Sequence, residues 1–497
     1  MIRPVATALW VPVGVAAVLG IAAFVGPPES VVRERPGRDE PVVRSTLVCP
    51  YVGGEPRASS HIGVLPLGGA PGEEAAEPEP VDVQALTGPD EEPATLFSAT
   101  AAGALTAAEV ETDDASGYAV RAVGVLAPGL AAEQTMAAPG PDLRGLVTGR
   151  CTGPAREHWF VGGSGEVGRR GRLVLSNPTS VPAVVDVSVW DESGPVDAPA
   201  TQDIAVPARG QQILLLDALD PGAERIGVQV SASQGRVAAA LEVRETDELA
   251  PQGVTFVPTA AAPSTDIVVP GVPAHGERTL RILAPGDTDA IVSLRLLGPE
   301  GPFSPVDQNV VTVTGGTVLE VPIGDGAGEV AVSVALESDE PVTAAVRVVD
   351  APSDELPDLA YTAATEPLAG AAPALLGRAG SGLTTRLLLS TVGASAARVQ
   401  VWTLAADGTV GEEQTVDVAG GSTVPVEVAA GNGPWVTVVV EPAEPGTVVV
   451  TREIVGSDDD GALLDLMPLV APAVSVQVPE VAGELPTGLA PAGPIAR

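Results

Sequence analysis

Lysine is absent from this chain. All 26 basic residues are arginine, against 64 acidic ones, and the formal net charge is −38. Without lysine there is no P-loop lysine, no kinase strand lysine, no Schiff base and no Ser–Lys catalysis. An acidic surface lacking any basic stripe repels a phosphate backbone, which excludes nucleic acid as a partner. Cysteine is limited to Cys49 and Cys151, histidine to His61, His158 and His275, and aromatic residues make up 3% of the chain. No two histidines have metal-ligand spacing, no CxxC occurs, and no histidine neighbours a G-x-S-x-G motif or a cysteine nucleophile. No catalytic residue, metal or cofactor is expected. Asparagine is nearly missing as well (Asn177, Asn309, Asn432), whereas Ala, Gly, Pro, Val and Arg abound. Lys and Asn have A-rich codons and the abundant residues G/C-rich ones, a bias that points to a high-GC bacterium.

What is present begins with an uncharged apolar run from Pro4 to Gly26, 23 residues, preceded by Arg3. At 1.5 Å per residue it is long enough to cross a hydrocarbon core, and it lacks a clean small-x-small cleavage site. A signal anchor over 1–26 is expected, with the N-terminus cytoplasmic and the bulk of the chain extracytoplasmic. A long cleaved signal peptide is the alternative. Residues 27–44, rich in Pro and charge, read as a stalk. Residues 69–93, with Glu73, Glu74, Glu77, Glu79, Glu91 and Glu92, read as an acidic disordered insert rather than a cation- or partner-binding loop. Residues 471–497 read as an extended Pro/Gly-rich tail. In an exported chain the pair Cys49 and Cys151 reads as one structural disulfide.

From about residue 157 the chain repeats every 107 residues. Gly194, Gly301 and Gly408 share that spacing, Asp247-Glu-Leu249 recurs as Asp354-Glu-Leu356, and Arg172–Pro178 aligns with Thr279–Pro285. The strand before each glycine alternates with period two. One face carries Val185, Val187 and Val189, then Val292, Leu294 and Leu296, then Val399, Val401 and Thr403. The opposite face carries Asp186, Ser188 and Trp190, then Ser293, Arg295 and Leu297, then Gln400, Trp402 and Leu404. The first face is expected to be buried and the second to be wetter. About seven short strands per 100 residues predict an immunoglobulin- or fibronectin-like sandwich. The whole is therefore expected to be all-β, with tandem sandwich modules at 157–263, 264–370 and 371–470. A diverged sandwich at 45–156 precedes them, and one transmembrane helix precedes that.

Cys49-Pro50, then Cys151 followed by Glu157-His-Trp-Phe-Val-Gly-Gly163, resembles an actinobacterial family known only as domain of unknown function 5719. The resemblance implies an exported, membrane-attached envelope protein and carries over no catalytic residue.

The remaining motifs are weak. Gly163-Ser-Gly-Glu-Val-Gly168 matches G-x-G-x-x-G but leads into a strand rather than a helix, so a flexible hairpin is expected instead of a dinucleotide site. Asp458-Asp-Asp-Gly461 departs from the calcium-loop pattern and reads as a solvated inter-module loop. Trp190 and Trp402, on the wetter face of equivalent strands, are the candidate binding surface, able to stack on sugar rings or to anchor a protein. The function expected is that of a non-catalytic, membrane-anchored scaffold or interaction protein of the cell envelope, with other envelope proteins as partners. The alternative is a cell-wall polysaccharide-binding accessory protein that uses the exposed tryptophans.

Overall fold

The computed structural model describes residues 38–50, 59–68, 79–111, 117–137, 144–305, 308–353, 355–377, 382–428 and 435–478. The predicted anchor lies outside them. Among the described residues, no helix is long and apolar enough to cross a membrane.

The described chain is almost entirely antiparallel β-structure. Between residues 44 and 468 it falls into four successive blocks of eight strands with one shared topology. In each block one sheet has the strand order first–sixth–third–fourth and the other fifth–second–seventh–eighth. The second block shows the plan: Glu157–Val161, Ala183–Trp190, Ile204–Val206 and Gly227–Gln234 make one sheet, and Arg169–Asn177, Gly210–Leu215, Ala238–Asp247 and Ala250–Val257 the other. In the third block the sixth and seventh strands fuse into one 19-residue strand, Val332–Asp350, whose two halves belong to different sheets, and an additional short strand, Gly301–Phe303, pairs with the third. Each block is thus a β-sandwich of eight strands rather than seven. Because the first strand pairs with the sixth instead of the second, the order is not the ABED/CFG order of an immunoglobulin domain.

The period-two pattern explains the cores. Val185, Val187, Val189, Val292, Leu294, Leu296, Val399 and Val401 are all buried. The glycines spaced at 107 follow the third strands with φ of +150° (Gly194), +117° (Gly301) and +85° (Gly408), a backbone region that L side chains rarely adopt. In the first block, Cys49 at the end of one strand is bonded to Cys151 just past another, inside the core formed by Ile62, Val64, Val83 and Val120.

The expectation of disorder over 69–93 is corrected in part. Val81–Ala85 is the third strand of the first sandwich, paired with Tyr118–Val123, and Val81 and Val83 are fully buried. The flanking Glu and Pro masked a short Val-x-Val alternation. The stalk and tail are also partly structured, for Arg38–Pro41 and Ser475–Val478 form a two-stranded ribbon in which two extended segments satisfy each other's backbone groups.

The four sandwiches are docked on one another. The outer face of the first–sixth–third–fourth sheet of one module packs on the fifth–second–seventh–eighth sheet of the next. Trp159, Val161 and Trp190 of the second module share a buried cluster with Leu283, Val318 and Tyr361 of the third. Here Gly227 allows a close approach, since a Cβ on it would lie 2.8 Å from Leu283 Cδ2. Val48, Leu86 and Ala119 of the first module meet Ala238 of the second. The Thr423 hydroxyl of the fourth donates to Leu297 O of the third at 2.6 Å. The cycle closes where Leu375, Leu404 and Val439 of the fourth module pack against Leu65 and Leu105 of the first. The eighth strands of all four, Leu146–Arg150, Ala250–Val257, Asp358–Ala363 and Ala462–Pro468, meet along the middle of this closed cycle.

Candidate functional site

Trp190 and Trp402 do not form an exposed surface. Trp190 is 8% exposed and stacks on Trp159, with ring centroids 5.7 Å apart and an interplanar angle of 21°. Trp159 Nε1 donates to Glu157 Oε1 at 2.9 Å. Trp402 is half-buried against the cluster that joins the fourth module to the first. Alternation places both side chains on the outer face of their sheets, as expected. What it does not reveal is that the far end of the outer face is covered by the neighbouring module, which buries Trp190, Leu297 and Leu404 at matching positions while Ser188, Arg295 and Gln400 on the same face stay exposed.

The other sequence candidates serve the architecture. The glycine-rich segment 163–168 crosses from the strand Glu157–Val161 in one sheet to Arg169–Asn177 in the other, so it is a corner between sheets and not a hairpin. Gly163 O there accepts from Arg281 Nη1 of the third module at 2.8 Å. His158 is buried with Nε2 2.8 Å from Val237 O, and burial pushes its pKa down. His275 bridges two modules, with Nε2 3.1 Å from Glu453 Oε1 and Nδ1 3.6 Å from Asp350 Oδ1. Hydrogen bonds to these two carboxylates push its pKa up to about 9. Asp458 Oδ1 accepts from Asp460 N and Gly461 N and pairs with Arg144 Nη2 at 2.9 Å. Asp354 lies outside the described residues. Among the described residues, no group of three or more His, Cys, Asp or Glu is placed to hold a metal ion.

Sequence reasoning missed the buried charges at the module joints. Arg452, on the seventh strand of the fourth module, is fully buried. Its Nη1 donates to Glu133 Oε2 at 2.6 Å and to Leu375 O at 3.0 Å, and its Nη2 to Thr148 Oγ1 at 2.6 Å and Asp465 Oδ2 at 3.0 Å. Glu133 and Thr148 belong to the first module, so one guanidinium clasps the two ends of the cycle. Burial pushes both carboxyls up, Arg452 pulls them back, and the pair holds Arg452 protonated. On the axis, Asp358 of the third module accepts from Leu146 N of the first at 3.0 Å and from Leu464 N of the fourth at 2.9 Å. Burial raises its pKa to about 8 despite these donors. Glu245 of the second module pairs with Arg169 of its own module and Arg347 of the third. No spacing rule announces such groups, because their partners across the joints, Glu245 for Arg347 and Glu133 for Arg452, stand 102 and 319 residues away in the chain.

An axial cavity of about 80 Å³ is lined by all four modules, among them Cys49, Thr148, Phe160, Phe256, Thr365 and Leu466. That volume is well below the roughly 300–1,000 Å³ of small-molecule sites. A wider groove of about 900 Å³ lies beside Arg278, whose guanidinium is held by Pro273 O, Gly324 O and Gly328 O. Neither brings together a nucleophile, a base and an orienting group.

Residues 106–429 match the model of the Family of unknown function (DUF5719), more than half of the chain. The chain belongs to this family. The matched span runs from the fifth strand of the first module to the fifth strand of the fourth, and so takes in most of the docked cycle and Cys151. No curated protein matches the chain. Among solved structures, a tetra-tandem repeat in the extending region of a large adhesion protein is similar at 13% identity, covering 80% of this chain and 93% of that one, with a TM-score of 0.08.

Proposed function

We propose that this chain is a non-catalytic, extracytoplasmic interaction protein of the cell envelope, held to the membrane by the apolar segment 4–26, whose docked modules serve other envelope proteins as a rigid platform. One observation carries the reading. The ionisable groups best placed to do chemistry serve the module joints: buried Glu133, Arg452, Asp465 and Glu245 and half-buried His275 lie in ion pairs there, and buried Asp358 accepts backbone hydrogen bonds from two other modules. Such networks position modules and leave recognition to the outer surface. The polysaccharide reading draws less support, because Trp190 is buried in a joint and Trp402 is half-buried against one. The test is fractionation of the C-terminally tagged full chain in its host, followed by protease treatment of intact spheroplasts and crosslinked pull-down. Membrane retention that is lost on deleting residues 1–26, external cleavage, and crosslinks to other envelope proteins are expected. A cytosolic, protease-protected protein would overturn the reading.

A further inference from the structure

The four equivalent fourth strands lie at the outer edge of their sheets, opposite the axis side. Three are short: Thr95–Ala99 with 5 residues, Ile204–Val206 with 3 and Val310–Val313 with 4. Short edges are a common device against unwanted pairing. The fourth module departs from this, since Val410–Val418 runs for 9 residues and is exposed from Val410 through Thr415. It pairs on one side with Ala397–Leu404. Among the described elements, none pairs with its other side.

Beside this edge the two sheets of the module part to leave a groove of about 260 Å³. Buried Val401 and Val438 and half-buried Trp402 and Val428 line it together with Thr403, Gln414, Glu412 and Glu427. Glu427 lies 3.7 Å from Arg386, a long pairing, and Asp417 is bonded to Arg398 at 3.0 Å. Among the described residues, no cation lies within ion-pair distance of Glu412 or of its neighbour Glu413. The groove thus combines apolar and polar wall groups with a carboxylate rim, which suits a long basic side chain with its alkyl stem and charged head.

We infer that this edge is a strand-addition site for an extended, basic segment of a partner protein. This deepens the interaction reading above and rests on it. The partner's backbone continues the sheet beyond Val410–Val418, which supplies main-chain hydrogen bonds. An Lys or Arg of that segment places its stem against Val401 and Val438 and its head at Glu412 and Glu427. A second copy of this chain is disfavoured, because it would set Glu412, Glu413 and Asp417 against themselves in a molecule with net charge −38.

The test uses the purified full chain and two synthetic peptides, one alternating Val and Thr with Lys, the other carrying Glu in place of Lys. Hydrogen exchange reads the amides of Val410–Val418, and fluorescence anisotropy reads affinity. The Lys peptide is expected to slow exchange at this strand. Glu412→Gln with Glu427→Gln should weaken its binding about tenfold, with a smaller salt dependence. Both positions are exposed, so an unchanged melting temperature serves as the control for folding. Equal binding of the two peptides, protection elsewhere, or no protection at this strand would overturn the inference. Envelope proteins crosslinked to the chain at other surfaces would sink this site while leaving the interaction reading intact.

Discussion

At the residue scale, where His275 sits changes its ordinary chemistry. The ring lies between Asp350 of its own module and Glu453 of the next, and Glu453 is also approached by Arg386 Nη1 at 3.4 Å. A pKa raised from 6.5 to about 9 means that the folded chain holds a proton the unfolded chain releases. The stabilisation is therefore complete below about pH 6.5 and is lost as the pH rises through about 9. Asp358 acts in the same direction, since its raised pKa favours the neutral form and its ionisation opposes folding as the pH rises toward 8. His275→Gln should lower the melting temperature at pH 6 by about 1–3 °C and have almost no effect at pH 10. The ring is about a third exposed, which keeps the effect small. Thermal melts of both proteins across this range check it, and an equal loss at both pH values would refute the assignment.

At the scale of the element, the disulfide and the fused strand solve one problem in two ways. A sandwich must keep two sheets in register when the chain crosses between them. In the third module the continuous strand Val332–Asp350 does this with backbone alone, pairing with both sheets. The first module keeps its sixth and seventh strands separate and ties its first strand to the residue after its eighth by Cys49–Cys151, across 102 residues. A loop of that size is worth roughly 4–5 kcal/mol in the chain-entropy model. Replacing both cysteines by serine should destabilise the protein by about that amount. The shift should appear as a lower urea midpoint, and reductant should bring the wild type to the same value. A midpoint unmoved by reductant would show that packing alone holds this module.

For the whole molecule, the decisive feature is that the fourth module returns to the first. The joint between them is closed by an apolar cluster around Leu375, Leu404, Leu65 and Leu105 and by the buried clasp of Arg452 with Glu133, Thr148 and Asp465. Removing one member of a buried charge set leaves the others uncompensated, at a cost of about 3–5 kcal/mol, whereas neutralising the whole set is much milder. Arg452→Met should therefore destabilise strongly and speed hydrogen exchange in both the first and fourth modules. The triple variant Glu133→Gln, Arg452→Met, Asp465→Asn should recover most of the loss. If the single substitution loosened only the fourth module, the clasp would not be what closes the cycle.

Much of this was legible in the chain. The all-β class, the 107-residue period, the buried faces of the third strands and the pairing of Cys49 with Cys151 follow from alternation, turn residues and cysteine count. These are local properties, set by backbone geometry and side-chain period. Alternation also identifies two faces of a strand, but it cannot say whether the outer one meets water or another module. Trp190 and Trp402 therefore read as exposed, whereas Trp190 is buried in a joint and Trp402 is half-buried against one. The strand Val81–Ala85 was hidden because composition averages over a window, whereas burial is decided residue by residue. Only the tertiary structure shows that the modules form a closed cycle, and that arginines paired across hundreds of residues hold it shut. The reason is physical: docking energy comes from surfaces far apart in the chain, whose complementarity leaves no periodic trace along it.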